Sequence, residues 1–99
     1  MITEFAEILI KPDTHQQFEA GVTQAVALFQ RARGCRAMHL ERGIEHPNAY
    51  RLVVQWDSVE DHDVHFRGSD DFQQWRALVG EFFAEAPRVY HTEVAVAGF

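Results

Sequence analysis

Histidine is the residue type in this chain that is best suited to acid–base chemistry near neutral pH. The chain has six, His15, His39, His46, His62, His65 and His91. His39 and His91 fall inside predicted strands among apolar neighbours, where burial would perturb the pKa as a general base requires. We therefore predict His91 and His39 as candidate catalytic bases. The alternative for each is a structural histidine that is hydrogen-bonded in the core or lies at the surface.

His62 and His65 are three residues apart in a predicted helix, a spacing that can direct two imidazoles toward one metal ion. Glu60, Asp61 and Asp63 surround them, so the segment also fits a solvated, charged helix face. We favour the charged face and predict no metal site.

Aromatic residues at one strand end and in the helices that follow it predict a pocket between helices and sheet, with a solid core as the alternative. We expect five residues to form the pocket: Trp56, His62, Phe66, Trp75 and Phe82. Arg67 and Arg76 flank this group and are predicted to pair with an anionic or enolate oxygen of a ligand. The alternative for both is an ordinary surface arginine.

Other residue types give weaker signals. The glycines form neither a G-x-G nor a G-K-[ST] pattern, which argues against a nucleotide-binding loop. Both serines, Ser58 and Ser69, lie at predicted helix starts, so a serine nucleophile has little support. Cys35 is the only cysteine, which excludes an internal disulfide and is typical of a reducing compartment. We expect it to act as a small buried hydrophobe.

The spacing of apolar residues predicts the elements that hold these side chains. Strands are expected over residues 2–10, 35–44, 49–57 and 88–97. The first helix begins at a capping box of Thr14 and Gln17 and ends at Gly34. Its predicted buried face consists of Phe18, Val22, Val26 and Phe29.

Two further helices are expected to start near Ser58 and Ser69, and the second has an apolar face of Phe72, Trp75, Val79, Phe82 and Phe83. The resulting β-α-β-β-α(α)-β order is typical of the split βαβ, ferredoxin-like α+β fold with a four-stranded antiparallel sheet.

Apolar residues occur on both faces of the first and third predicted strands. Phe5 and Leu9 lie on one face of the first strand, and Ala6 and Ile8 lie on the other. An antiparallel sheet that helices cover on one side should instead alternate apolar and polar residues. Because the chain has no spare helix, we predict a homodimer formed by sheet-on-sheet packing. A mixed, exposed face is the alternative.

The composition limits the class of protein. A length of 99 residues predicts a single domain, residues 1–99. A net charge of −6 argues against a nucleic-acid-binding surface. No apolar run approaches the length of a membrane span, and the first residues lack the features of a signal peptide. We therefore expect a cytoplasmic protein.

Several short runs, in this order and spacing, resemble the antibiotic biosynthesis monooxygenase (ABM) domain family. The runs are Gly34-Cys35-Arg36, Leu40-Glu41-Arg42, Glu45-His46-Pro47, Gln55-Trp56-Asp57-Ser58-Val59-Glu60-Asp61-His62, Phe66-Arg67-Gly68-Ser69, Phe72, Trp75-Arg76 and Tyr90-His91. The resemblance covers essentially the whole chain. It implies a dimeric α/β barrel of ferredoxin-like monomers, with a pocket between helices and sheet in each subunit.

Similar family members include cofactor-independent oxygenases of polycyclic aromatic phenols and quinols, and haem-degrading oxygenases. The haem-degrading members use an Asn on the first strand and a Trp and a His around the helix after the third strand. Here the only Asn is Asn48, in a predicted turn, and Phe66 and Arg76 stand at the Trp and His positions. The resemblance therefore disfavours haem degradation.

Together, the residues and the resemblance predict a monooxygenase that oxidises a small aromatic phenol, anthrone or quinol with dioxygen, with neither metal nor cofactor. A base would remove a proton from the substrate, and the resulting anion would pass an electron directly to dioxygen. The alternative is a non-catalytic dimeric module that binds a small apolar or aromatic metabolite.

Overall fold

Four antiparallel strands form one sheet with helices on one face. The computed structural model describes residues 1–99. Its elements are β1 (Ile2–Leu9), α1 (His15–Gln30), β2 (Cys35–Arg42), β3 (Ala49–Trp56), a π-helical turn (Asp61–Phe66), α2 (Asp70–Val79), a 3₁₀ turn (Gly80–Phe82) and β4 (Arg88–Thr92). The strand order β2-β3-β1-β4 confirms the ferredoxin-like α+β fold. None of the helices has both the length and the apolarity needed to cross a membrane.

Strand alternation divides the sheet into a helix-covered face and an open face. Ala6 and Ile8 of β1 lie under the helices beside Leu52 and Val54 of β3, and all four are buried. Glu4 shares this face and is also buried. The strand that supplies the centre of the apolar core therefore also carries a carboxyl group into it.

The open face carries Phe5, Leu9 and Val53, so β1 and β3 do place apolar side chains on both sides of the sheet. Phe5 stacks on Tyr90 with 5.6 Å between ring centroids, and the Arg51 guanidinium lies 5.3 Å from the Phe5 ring centre. Val53 is 8 % exposed, whereas Leu9 is 39 % exposed. Side chains of the same chain thus cover the open face only in part.

Helix α1 differs from prediction at its start and on its buried face. The Thr14 hydroxyl donates to the Lys11 carbonyl oxygen at 2.7 Å and makes no capping bond, so the predicted capping box is wrong. Val26 is 42 % exposed, and Ala25 takes its place in the core. At about 100° per residue, Val26 is rotated roughly a quarter turn from the middle of the buried stripe. Gly34 has a φ of 76°, which confirms its left-handed conformation. The helix itself ends earlier than predicted, at Gln30, and Gly34 lies in the turn that leads to β2.

Strand β4 is shorter than predicted. It pairs with β1 only from Arg88 to Thr92, and residues 93–97 have no strand partner. Val94 and Val96 are 79 % and 86 % exposed. The alternating apolar pattern in this tail predicted a strand, but β4 is an edge strand and its pairing stops at Thr92, opposite Thr3 near the start of β1.

Helices α1 and α2 approach closely at Gly21, so a substitution there tests how tightly the two helices pack. A Cβ atom on Gly21 would lie 2.7 Å from the Leu78 carbonyl oxygen, whereas a Cβ atom on Gly80 would meet nothing within 4 Å. We expect Gly21→Ala to lower the free energy of unfolding by about 1–3 kcal/mol, because the backbone of α2 must shift. Gly80→Ala, the matched control, should change it by less than about 1 kcal/mol. Urea denaturation measures both, and equal effects would contradict the close approach.

Candidate functional site

A cavity of about 410 Å³ lies between the helix-covered face of the sheet and the segment that joins α2 to β4. Its apolar lining consists of Ala6, Ile8, Leu52, Phe72, Trp75, Phe83, Ala86 and Val89. The other lining residues are Glu4, His62, Arg67, Arg76, Glu85 and Pro87. The combination of aromatic walls with a few convergent polar groups is typical of small-molecule sites. A larger depression of about 660 Å³ at the end of β1 and the start of β3 is more open, and half of its lining residues are charged.

Glu4 and His62 are the two buried ionisable residues that line the cavity. Glu4 is 4 % exposed, and Trp56 Nε1 donates a hydrogen bond to its Oε1 at 3.0 Å. His62 Nε2 lies 3.3 Å from the same oxygen. Burial raises the pKa of Glu4 to about 7, and the Trp56 hydrogen bond opposes this shift. Near neutral pH this carboxyl group is therefore close to its titration midpoint.

His62 lies between Glu4 and the protein surface. Its ring stacks on the Trp56 indole, with centroids 5.3 Å apart and an interplanar angle of 24°. Its Nδ1 and the Nε2 of His91 share a hydrogen bond of 2.8 Å. Burial, followed by the nearby His91, lowers the pKa of His62 to about 4. The imidazole is therefore neutral near pH 7.

Asp63 completes a cluster on the outer side of His62. Its Oδ1 lies 3.4 Å from His62 Nδ1 and 3.8 Å from His91 Nε2. These three side chains are the group in the chain whose arrangement could hold a metal ion. His65, the predicted metal partner of His62, points instead toward Glu60, with 3.7 Å between Nε2 and Oε1. The i, i+3 spacing therefore does not bring the two imidazoles of the turn together.

The structure places four of the predicted site residues in the cavity lining, namely His62, Arg67, Trp75 and Arg76. Trp56 and Phe66 are buried in the core beneath it and support His62 rather than line the cavity. Phe82 packs against the core outside the lining. His91 is half-buried beside His62, one side chain away from the cavity.

His39 lies on the opposite face of the sheet from the cavity. It pairs with Val53 on the open face, its side chain is 58 % exposed, and its Nε2 is 2.9 Å from Glu41 Oε2. The expectation of an interior His39 is therefore wrong. Met38 and Leu40 face the helices instead, because adjacent residues of a strand point to opposite sides of the sheet.

Glu4 is the site residue that sequence reasoning missed. Its signal is positional, since residues 4, 6 and 8 of a strand share one face and residues 6 and 8 are apolar. A carboxylate on an otherwise apolar strand face is costly to bury and marks a candidate site.

Comparisons with known proteins identify the family and the fold of the chain. A model of the antibiotic biosynthesis monooxygenase (ABM) family matches residues 1–78. The chain belongs to this family. It is 35 % identical over 91 residues to the uncharacterized protein YczJ of Bacillus subtilis, covering 92 % of this chain and 96 % of YczJ. The family that the sequence resemblance indicates is therefore confirmed.

Solved structures support the fold of this ABM-family chain. An ABM-type protein of Bordetella bronchiseptica is 54 % identical and superimposes with a TM-score of 0.94, covering 96 % of this chain and 97 % of that one. Rv0793 of Mycobacterium tuberculosis is 21 % identical, with a TM-score of 0.79 over 99 % of this chain and 98 % of Rv0793. The more distant similarity concerns the fold alone.

The pKa shifts of Glu4 and His62 affect stability in opposite directions. Folded Glu4 holds its proton up to about pH 7 and the unfolded carboxyl only to about 4.5, so its contribution to stability falls as pH rises between these values. Folded His62 binds its proton only below about pH 4 and the unfolded imidazole below about 6.5, so its contribution rises with pH over that interval. In the wild-type chain the two contributions therefore oppose each other from about pH 4.5 to 6.5.

Glu4→Gln removes the contribution of Glu4 and leaves that of His62, which rises with pH. We therefore expect the free energy of unfolding of this variant to increase from about pH 4 to 6.5 by up to about 1.4 kcal/mol per pH unit. His62→Gln leaves the contribution of Glu4, so the free energy of unfolding of this variant should fall as pH rises to about 7. Urea denaturation at intervals from about pH 4 to 8 in a chelator-containing buffer measures both. Parallel curves for the two variants would contradict the opposed shifts.

Proposed function

We propose that this ABM-family chain is a monooxygenase that oxidises a small aromatic phenol, anthrone or quinol with dioxygen, without an organic cofactor. One observation carries the proposal: an aromatic-walled cavity contains a buried carboxyl group, from Glu4, together with two guanidinium groups, from Arg67 and Arg76. These are the groups needed to bind a flat aromatic molecule, accept its proton and stabilise the resulting oxyanion. Membership of the ABM family supports the same reaction class.

The cavity walls fit an aromatic substrate. In the proposal its ring packs against Phe72 and Trp75, and its phenolic or ketone oxygen faces Arg67 and Arg76. The Arg67 guanidinium lies 5.6 Å from the centre of the Phe72 ring, a cation–π contact that restricts where its charge can lie. The positive charge of Arg67 is therefore held beside the aromatic wall of the cavity before the substrate binds.

The reaction balances without an external reductant, because the substrate supplies all four electrons that reduce dioxygen. The anion gives two as the carbon-bound peroxide forms, and the remaining C–H bond gives two as the O–O bond breaks. The Glu4 carboxylate accepts a proton from an anthrone methylene or from a phenol. The anion transfers one electron to dioxygen, and the substrate radical and superoxide combine into a carbon-bound peroxide. Glu4 returns its proton to the outer peroxide oxygen. Cleavage of the O–O bond then releases this oxygen as hydroxide, which takes the remaining C–H proton to form water, and a C=O group is left on the substrate. One oxygen atom of dioxygen enters the product, and the other leaves as water.

Glu4 takes the base role that sequence analysis assigned to His91 or His39. His39 is on the opposite face of the sheet, and His91 reaches the cavity only through His62. Glu4 lines the cavity directly. In this proposal His62 is a positioning residue, since its Nε2 lies 3.3 Å from the Glu4 oxygen that also accepts the Trp56 hydrogen bond.

Oxygen uptake with a panel of anthrones, phenols and quinols tests the proposal. We expect Glu4→Gln to lower kcat by about 10²–10⁴-fold, because it removes the proton acceptor and keeps the shape of the side chain. Glu45→Gln, in the exposed β2–β3 turn, is the matched control and should retain wild-type kcat. Extensive dialysis against a chelator should leave uptake unchanged.

Two results would overturn the proposed reaction. One is a wild-type chain that consumes no oxygen with any compound of the panel, and the other is a Glu4→Gln variant that matches the wild type. Ligand-induced thermal stabilisation with no oxygen uptake would favour a binding module for a small aromatic metabolite.

We further propose that the chain forms a homodimer through the open face of the sheet. The face carries half-covered apolar side chains, including Phe5 and Leu9, and a second copy would remove them from water. This arrangement would form the dimeric α/β barrel that the sequence analysis predicts.

Phe5→Glu should raise the dimer dissociation constant at least tenfold, because it places a charge in the middle of the proposed interface. Val64→Glu, at a 59 % exposed site on the π-helical turn, is the control and should leave the dimer intact. Sedimentation equilibrium measures both variants. A wild-type chain that sediments as a monomer at micromolar concentration would contradict the interface.

A further inference from the structure

Three side-chain atoms that can bind a metal ion lie close together between the π-helical turn and β4. They are His62 Nδ1, Asp63 Oδ1 and His91 Nε2, the first two from the π-helical turn and the third from β4. Their separations are 2.8 Å between the two nitrogens, and 3.4 and 3.8 Å from the carboxylate oxygen to each nitrogen. We propose that these atoms bind a divalent transition-metal cation such as Zn²⁺, an interaction separate from the proposed oxygenase reaction.

The size of this triangle fits metal coordination. The point equidistant from its three corners lies about 2.0 Å from each, which is close to the usual Zn–N and Zn–O distances. Tetrahedral coordination would widen the separation of the two nitrogens by about half an ångström. The metal would replace the hydrogen that His62 and His91 now share. Because Asp63 is half-exposed, its side chain has the freedom to adjust.

Glu4 lies beside His62 at the position that a carboxylate partner takes next to a metal-bound histidine. Such a ring commonly donates its second N–H to a carboxylate, which sets the tautomer and frees the other nitrogen for the metal. Here His62 Nε2 lies 3.3 Å from the buried Glu4 carboxylate oxygen, so Nδ1 is the nitrogen left facing Asp63 and His91. Stacking on Trp56 further restricts the ring.

The cluster also leaves room for further ligands. The side chains of His62, His91 and Asp63 are 4 %, 18 % and 44 % exposed, so exposure increases from the buried side of the cluster to its outer side. Water or a small anion can therefore reach the outer side. Two imidazoles and one carboxylate with an open position favour Zn²⁺ or another first-row divalent cation over Ca²⁺ or Mg²⁺, which prefer oxygen ligands.

Metal titration of the full, tag-free chain tests the site. Protein freed of metal by chelator is titrated with ZnCl₂ by calorimetry and with CoCl₂ by visible absorption. We expect one equivalent to bind to the wild type, with a rise in Tm and Co²⁺ d–d bands. His91→Gln and Asp63→Asn should each weaken Zn²⁺ binding at least tenfold. His65→Gln is the matched control on the same turn and should bind as the wild type does.

The comparison of Zn²⁺ affinities between the variants and the wild type remains decisive even if a variant is less stable than the wild type. The two key substitutions are at partly exposed positions, and thermal unfolding in chelator verifies that each variant is folded at the titration temperature. Absence of saturable wild-type binding, unchanged affinity in His91→Gln, or an equal loss in His65→Gln would overturn the site. None of these readouts involves turnover, and oxygen uptake is assayed in chelator, so failure of the metal site is distinguishable from failure of the proposed oxygenase reaction.

Discussion

The arrangement of the site depends on one buried carboxyl group. Glu4 lies on a strand face that is otherwise apolar, and a carboxyl group without partners there would cost several kcal/mol. Trp56 at the end of β3 donates to it, and His62 on the π-helical turn lies against the same oxygen. No buried side-chain nitrogen or oxygen in the chain lacks a partner. The end of β3 and the turn that follows are thus held close to the first strand by polar contacts as well as by apolar packing.

The π-helical turn joins the two sides of the site. His62 presents Nε2 to Glu4 and the cavity and Nδ1 to His91 and Asp63. Arg67 directly follows the turn, and its backbone N–H donates to the His62 carbonyl oxygen at 3.0 Å in the i to i+5 pattern. A π-turn is uncommon and often marks functional positions in helices. Here one short segment sets both the cavity wall and the cluster outside it.

The two faces of the sheet have separate roles in this interpretation. Apolar residues on the helix-covered face form the core and the cavity, whereas those on the open face remain partly exposed. Arg51 and Tyr90 cover Phe5 from within the chain, which reduces the cost of the open face in water without removing it. The same alternation that buries Glu4 directs His39 to the other face, where it contacts Glu41.

The sequence by itself determined the order of the elements and the left-handed Gly34, because these follow from spacing and residue type over a few positions. It also determined the family, because the matching runs are spread along most of the chain. It also placed His62, Trp75, Arg67 and Arg76 near one another, since they follow β3 closely in the chain. Only the tertiary structure decided that Glu4 and His91 contact His62 and that His39 lies on the opposite face of the sheet. Those contacts depend on how β1, β3 and β4 pair, and a shift of one residue in register would exchange the two faces of a strand.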